Sequence, residues 1–264
     1  MAVMDIRIFS NTLNRNVCFK AIIPNDISES KKKDFSKNYN RPMKTLYLLH
    51  GYEGDSSDWL YKTNIYDLAE EYNLAVILPS GENSWYIDNE CRNFKFKQFI
   101  GEELINYVQA TFSLSSKKED NFIGGLSMGG YGAITIGLTY PDRFSKIVGL
   151  SSALIINDLT SSSPSRDVEE IKEFTYVFGD LTQLKNSDKN PERLIKEALS
   201  SKVNIPKIFM CCGIDDFLLE VNREFVGFLS KNHVDFIYNE DEGIHDWKFW
   251  TNWIAPSIKW LLDN

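Results

Sequence analysis

The stretch from Asn121 to Leu138 restricts the fold of this chain more than any other. Asn121-Phe122-Ile123-Gly124 is an apolar run that predicts a short buried strand, and Tyr131 to Leu138 has the composition of a helix. Gly125-Leu126-Ser127-Met128-Gly129-Gly130 joins the two. So short a junction holds Ser127 in a strained backbone geometry that no neighbouring side chain can crowd. Hence the glycines two residues before and two after it, and a third at Gly130. Strand, tight turn and helix are the context in which G-x-S-x-G acts as a nucleophile elbow. The serine hydroxyl then projects above the strand ends. The following helix aims its N-terminus at the same point, where backbone N–H groups can stabilise a developing oxyanion.

The remaining pattern extends this unit. Asp5 to Ser10 and Val17 to Pro24, joined through Asn14-Arg15-Asn16, predict an N-terminal hairpin. Asn25 to Pro42 is polar and lysine-rich and reads as a solvated connection. Thr45–Leu49, Leu74–Pro79, Lys146–Leu150 and Lys207–Cys212 are continuous apolar runs, the mark of strands buried on both faces. A further strand is expected over Val234–Tyr238. Helices are expected over Asp58–Tyr72, Phe99–Phe112, Phe217–Leu229 and Trp247–Leu262. Alternating strands and helices imply an α/β fold, a mostly parallel central sheet with helices on both faces. From Leu154 to Asn204 there is no convincing strand. An insertion above the strand ends is expected there, either a partial lid or a plain surface excursion.

A chain of 264 residues, 43% hydrophobic, is expected to form one domain spanning 1–264. Its formal net charge of −8 argues against nucleic acid and anionic membranes as partners. The N-terminus lacks a basic segment followed by an apolar one, so no signal peptide is expected. No window suggests a membrane span, and a cytoplasmic location follows as the expectation. Cys18, Cys91, Cys211 and Cys212 show no metal or redox spacing, and the vicinal pair reads as two core thiols on a strand.

A serine nucleophile needs a base, because a hydroxyl barely ionises near neutral pH. Of three histidines, His233 reads as a surface residue at a helix end, and His50 as a brace of the loop after the strand at Leu49. His245 lies between the last strand and the last helix, where a base that comes last in chain order belongs. The acid is expected on the loop Gly213-Ile214-Asp215-Asp216-Phe217. Asp216 is preferred for orienting the imidazole, with Asp215 as a loop or capping residue, and Asp246 also reads as a solvated or capping residue. The oxyanion donors are the N–H of Met128 and, from His50-Gly51-Tyr52, that of Tyr52. Trp85 and Tyr86 are candidate pocket walls. Trp250, Trp253 and Trp260 are candidates for core or for an interface in a homo-oligomer.

These motifs resemble the esterase D family of α/β hydrolases, and within it the small bacterial tributyrin esterases. The likeness runs through Leu48 to Gly54 with Trp59, Ser84-Trp85-Tyr86, Gly125 to Gly132, Cys212 to Leu218 and Gly243 to Trp250. It implies an α/β-hydrolase fold and a serine carboxylesterase of small short-chain acyl esters, acetyl to butyryl, with no metal and no cofactor. Ile244 stands where a glycine is expected before the histidine. An S-formylglutathione-type thioesterase would use the same triad, and a non-catalytic binding protein on this fold would have lost part of it.

Overall fold

The computed structural model describes residues 1–89, 94–161 and 167–263. Its main sheet has eight strands: β1 (Ala2–Ser10), β2 (Arg15–Ile23), β3 (Lys44–Leu49), β4 (Leu74–Pro79), β5 (Asn121–Leu126), β6 (Lys146–Leu150), β7 (Lys207–Gly213) and β8 (Phe236–Asp241). Their spatial order is β1-β2-β4-β3-β5-β6-β7-β8. The hairpin β1–β2 is antiparallel, with Ala2 opposite Ile23, and β2 runs antiparallel to β4. From β4 to β8 every pairing is parallel.

The apolar runs form strands because each feeds two cores at once. In β3, Leu46 and Leu48 point into the core that holds Trp59 and Ile254, while Tyr47 and Leu49 point into the core that holds Phe144 and Met128. A strand covered on both faces has no polar side, so alternation disappears from the sequence. The helix Met128–Thr139 follows β5 and is buried from Met128 to Leu138, which explains why its composition is apolar all round. The opposite face is covered by Trp247–Leu262, which buries Phe249, Trp250, Ile254, Ile258 and Leu261. Lys146 Nζ donates to the carbonyls of Trp260 and Leu261 at 2.9 and 3.2 Å, meeting the orphan acceptors at that helix's end. Trp250 is buried, and Trp253 and Trp260 set their rings 6.1 and 5.4 Å from that of Phe209. These three tryptophans therefore pack toward the core.

Four expectations needed adjustment. Asp58–Tyr72 is two helices, Asp58–Lys62 and Ile65–Glu71, because Thr63 turns extended between them. The helix expected from Phe99 begins at Phe96 and widens to a π-helical segment over Phe99–Leu104. The connection after β2 holds two short helices, Glu29–Asp34 and Ser36–Tyr39, and the Tyr39 hydroxyl donates to the Glu70 carbonyl at 2.7 Å. The last strand is displaced toward the C-terminus, because β8 takes its register from β7, with Phe236 opposite Ile208. Cys211 and Cys212 are buried on β7, Cys18 is exposed, and Cys91 lies outside the described residues.

Between β6 and β7 the described residues form helices at Ile156–Leu159, Val168–Phe178, Leu181–Leu184 and Pro191–Ser200, and no strand. Val168–Phe178 starts on a capping box in which Asp167 accepts from the Glu170 N–H and Glu170 accepts from the Asp167 N–H. Part of the serine-rich run ahead of it lies outside the described residues. No helix among the described residues is long and apolar enough to cross a membrane.

Candidate active site

Ser127 sits between β5 and the helix Met128–Thr139 with φ 53° and ψ −120°. A residue with a Cβ rarely tolerates positive φ, and the surroundings hold it there. A Cβ on Gly125 would lie 2.4 Å from the Gly129 carbonyl oxygen, and one on Gly129 would lie 2.4 Å from that of His50. Both glycines are there because backbone packs against backbone at the turn.

The structure brings Ser127, His245 and Asp216 into one hydrogen-bonded chain. His245 Nε2 is 2.9 Å from Ser127 Oγ. His245 Nδ1 is 2.9 Å from Asp216 Oδ2 and 3.1 Å from Oδ1. Burial opposes the charge on Asp216, but the bonds from His245, from the Leu218 N–H at 2.8 Å and from the Ser151 hydroxyl outweigh it. Its carboxyl is held below the ordinary carboxylate range. An ionised Asp216 can only accept, so Nδ1 carries the imidazole proton and Nε2 presents its lone pair to the serine.

The imidazole is clamped between two aromatic rings. Phe217 lies 4.6 Å from it by centroids at an interplanar angle of 52°, and Trp250 meets it edge-on at 4.9 Å and 88°. Trp250 also donates its indole N–H to Ser151 Oγ at 3.1 Å. Ser151 is fully buried, with φ 45°, and closes a network behind the carboxylate. Asp246 caps the final helix by accepting from the Phe249 N–H at 2.9 Å. Asp215 is exposed and uses its N–H on the Gly243 carbonyl at 3.0 Å. His233 is exposed after its helix.

His50 is buried and braces the loop that follows β3. Its Nε2 accepts from the Gly81 N–H at 2.8 Å, so Nδ1 bears the proton and donates to the Gly51 carbonyl at 2.7 Å. Burial pushes its pKa down, which keeps it neutral with both nitrogens occupied. This loop packs against the serine: a Cβ on Gly51 would lie 3.6 Å from Ser127 Cβ. Tyr52 follows directly, and the next N–H, of Glu53, donates to Asn83 Oδ1 at 2.8 Å. Met128 opens the helix after the serine, in a first turn without a side-chain cap.

A cavity of about 240 Å³ opens over Ser127, lined by Tyr52, Trp85, Met128, Phe174 and Phe217 among others. Trp85 is thus a wall of this cavity, set against Tyr131, Phe174 and Phe178 at 5.6, 5.6 and 5.3 Å. Tyr86 is not a wall. It is fully buried, its hydroxyl donates to the His50 carbonyl at 3.0 Å, and its ring fills the space above Gly81 and Gly132. Phe174 and Glu173 come from the helix Val168–Phe178, so the insertion supplies part of the cavity's lining. Sequence reasoning missed Phe174, Glu173, Phe217 and Ser151. For Ser151 a signal existed, since it follows β6 at a C-terminal strand end. The helical insertion offered none.

The model of the putative esterase family matches residues 10–261. An acetyl esterase from Caldicellulosiruptor saccharolyticus is 44% identical over 265 residues, 99% of this chain and 98% of that protein. Among solved structures, the fluorophosphonate-binding serine hydrolase FphF of Staphylococcus aureus superposes with a TM-score of 0.83 at 31% identity, over 100% of this chain and 99% of that one. An S-formylglutathione hydrolase, FrmB, from the same organism also gives 0.83 and 31%, over 99% of each. The elbow, the strand order and these likenesses agree: the chain belongs to the esterase family and is an esterase of the α/β-hydrolase fold.

Proposed function

We propose that the chain hydrolyses small short-chain acyl esters, acetyl to butyryl, through an acyl-enzyme on Ser127. The observation that carries this is the continuous bond path from Ser127 Oγ through His245 to Asp216, set beside a small, mostly apolar cavity. Ser127 attacks the ester carbonyl as His245 Nε2 takes its proton, and Asp216 stabilises the imidazolium. The N–H groups of Tyr52 and Met128 hold the oxyanion, each worth about 3 kcal/mol of barrier. The proton on Nε2 passes to the leaving alcohol. Water, activated by the same nitrogen, then releases the acid and restores the serine. No step calls for a metal or a cofactor.

The reading takes the chain as one catalytic domain, acting in the cytoplasm on a small molecule, with neither nucleic acid nor membrane as partner. The 44% identity to an acetyl esterase supports the acyl size. A thioesterase of the S-formylglutathione type is the second reading, supported by the likeness to FrmB, and needs the same residues. Initial rates on p-nitrophenyl esters from acetate to laurate, with Ser127→Ala alongside and S-formylglutathione as a competing substrate, test both. A peak at acetate to butyrate that vanishes in the variant supports the first. A far higher kcat/KM for the thioester replaces it with the second.

A further inference from the structure

The leaving alcohol has to face His245 Nε2, because that nitrogen returns the proton to it. The acyl substituent then points away from His245 and from Phe217 beside it, which leaves it the remaining lining of the cavity, Trp85, Phe174, Tyr52 and Glu173 included. Trp85 belongs to a cluster of rings, meeting Phe174 and Tyr131 edge-on and Phe178 at a tilt. Beside it the cavity is closed by Tyr52 and Glu173, and the Tyr52 hydroxyl donates to the Glu173 carboxylate. Tyr52 stands on the loop after β3 and Glu173 on the helix Val168–Phe178, so this one bond ties the insertion to the oxyanion loop. Behind the pair lies a second cavity of about 190 Å³, which Tyr52 and Glu173 also line, together with Asn83, Phe94, Tyr176 and Val177. The same two side chains are therefore the shared wall of both spaces.

We propose that the Tyr52–Glu173 hydrogen bond is a partition that sets the acyl-chain limit, and that the cavity behind it is a second acyl subsite for medium-length aliphatic chains. The ring cluster is locked by contacts among its own members. The partition is held across its gap by a single bond between two exposed side chains. Opening it joins two cavities whose walls include Phe94 and Val177, on which methylenes can be buried. The phenol of Tyr52 is pushed up to about 12, first by its bond to the carboxylate and then by burial, so it keeps the proton it donates at neutral pH. The inference rests on the acyl-enzyme reading given above.

The test is the chain-length profile of kcat/KM on p-nitrophenyl acetate, butyrate, hexanoate and octanoate for the wild type, Tyr52→Phe, Glu173→Ala, Glu173→Gln and the double variant Tyr52→Phe/Glu173→Ala. Tyr52→Phe and Glu173→Ala break the bond, and each should raise the octanoate-to-acetate ratio. The gain should be about fourfold for each methylene that enters the second cavity. Glu173→Gln keeps an acceptor for the hydroxyl and should retain the wild-type profile. The double variant should shift the ratio no further than either single one, because both remove the same bond. An unmoved profile in Tyr52→Phe and Glu173→Ala, or a Glu173→Gln shift as large as that of Glu173→Ala, overturns the partition. A wild type without ester turnover removes the underlying reading as well, so the two failures are told apart by the wild-type acetate rate.

Discussion

The indole N–H of Trp250 donates to the hydroxyl oxygen of Ser151 at 3.1 Å, on the side of Asp216 away from solvent. Ser151 is thereby left to spend its own proton on the Asp216 carboxylate, one of the bonds that keep that group ionised despite burial. The Cys212 thiol also contacts Asp216 from β7, but burial pushes it up to about 12 and it stays neutral. Ser151→Ala should lower kcat about tenfold with little change in KM, the scale of one lost bond to a charged group. Removing a donor from the carboxylate raises the proton affinity of the Asp216–His245 pair. The acid limb of the pH–rate profile should therefore move to higher pH. Loss of packing alone would lower kcat without moving that limb, and Trp250→Phe should reproduce a smaller part of the effect.

Ser127 holds a left-handed conformation that suits glycine better than serine. Ser127→Gly should abolish ester turnover and raise unfolding stability by about 1 kcal/mol, since the strain disappears with the side chain. Ser127→Ala should be equally inactive without that gain. Denaturant melts of the three proteins, read beside residual rates, check both statements.

Gly129→Ala should damage the site through the backbone. The new Cβ would lie 2.4 Å from the His50 carbonyl oxygen and 2.6 Å from that of Leu49, both main-chain atoms with little room to yield. The loop carrying Gly51 and Tyr52 has to shift away from Ser127. A loss of kcat greater than about tenfold is expected, with a destabilisation of about 1–3 kcal/mol. A soluble variant with wild-type kcat would show that the loop does not place an oxyanion donor.

His50 titrates lower in the folded protein than its ordinary 6.5, because burial disfavours the imidazolium. The unfolded chain therefore takes up the proton first as pH falls. Stability attributable to this group is full above about 6.5 and declines below it, toward the depressed folded value. His50→Gln should be less stable at neutral pH, having lost fitted bonds to Gly81 and Gly51, yet show a shallower decline between about pH 6.5 and 5. Thermal melts across that range give the two slopes.

What the sequence made legible follows from chain order. Ser127, Asp216 and His245 each end a strand or follow one, and a parallel sheet collects its C-terminal strand ends on one side. Residues far apart in sequence were therefore expected to meet. Tyr86 was misread because it adjoins Trp85, and adjacent residues in a tight turn point apart: one faces the cavity, the other packs beneath the loop. Phe174 and Glu173 were out of reach for a different reason. They sit on a helix whose composition says that it is amphipathic, while its placement over Ser127 depends on contacts with Tyr52 and Trp85 that no local pattern encodes.

His245 is tied to a helix, whereas Ser127 is tied to the sheet. His245 immediately precedes the Asp246 cap of Trp247–Leu262, and that helix is anchored at its far end by Lys146. A local opening that detaches Trp247–Leu262 would carry the imidazole away while leaving the elbow on its strand. Esterase activity is therefore expected to fade on heating before the sheet itself melts, with the docking of one helix acting as its thermal fuse.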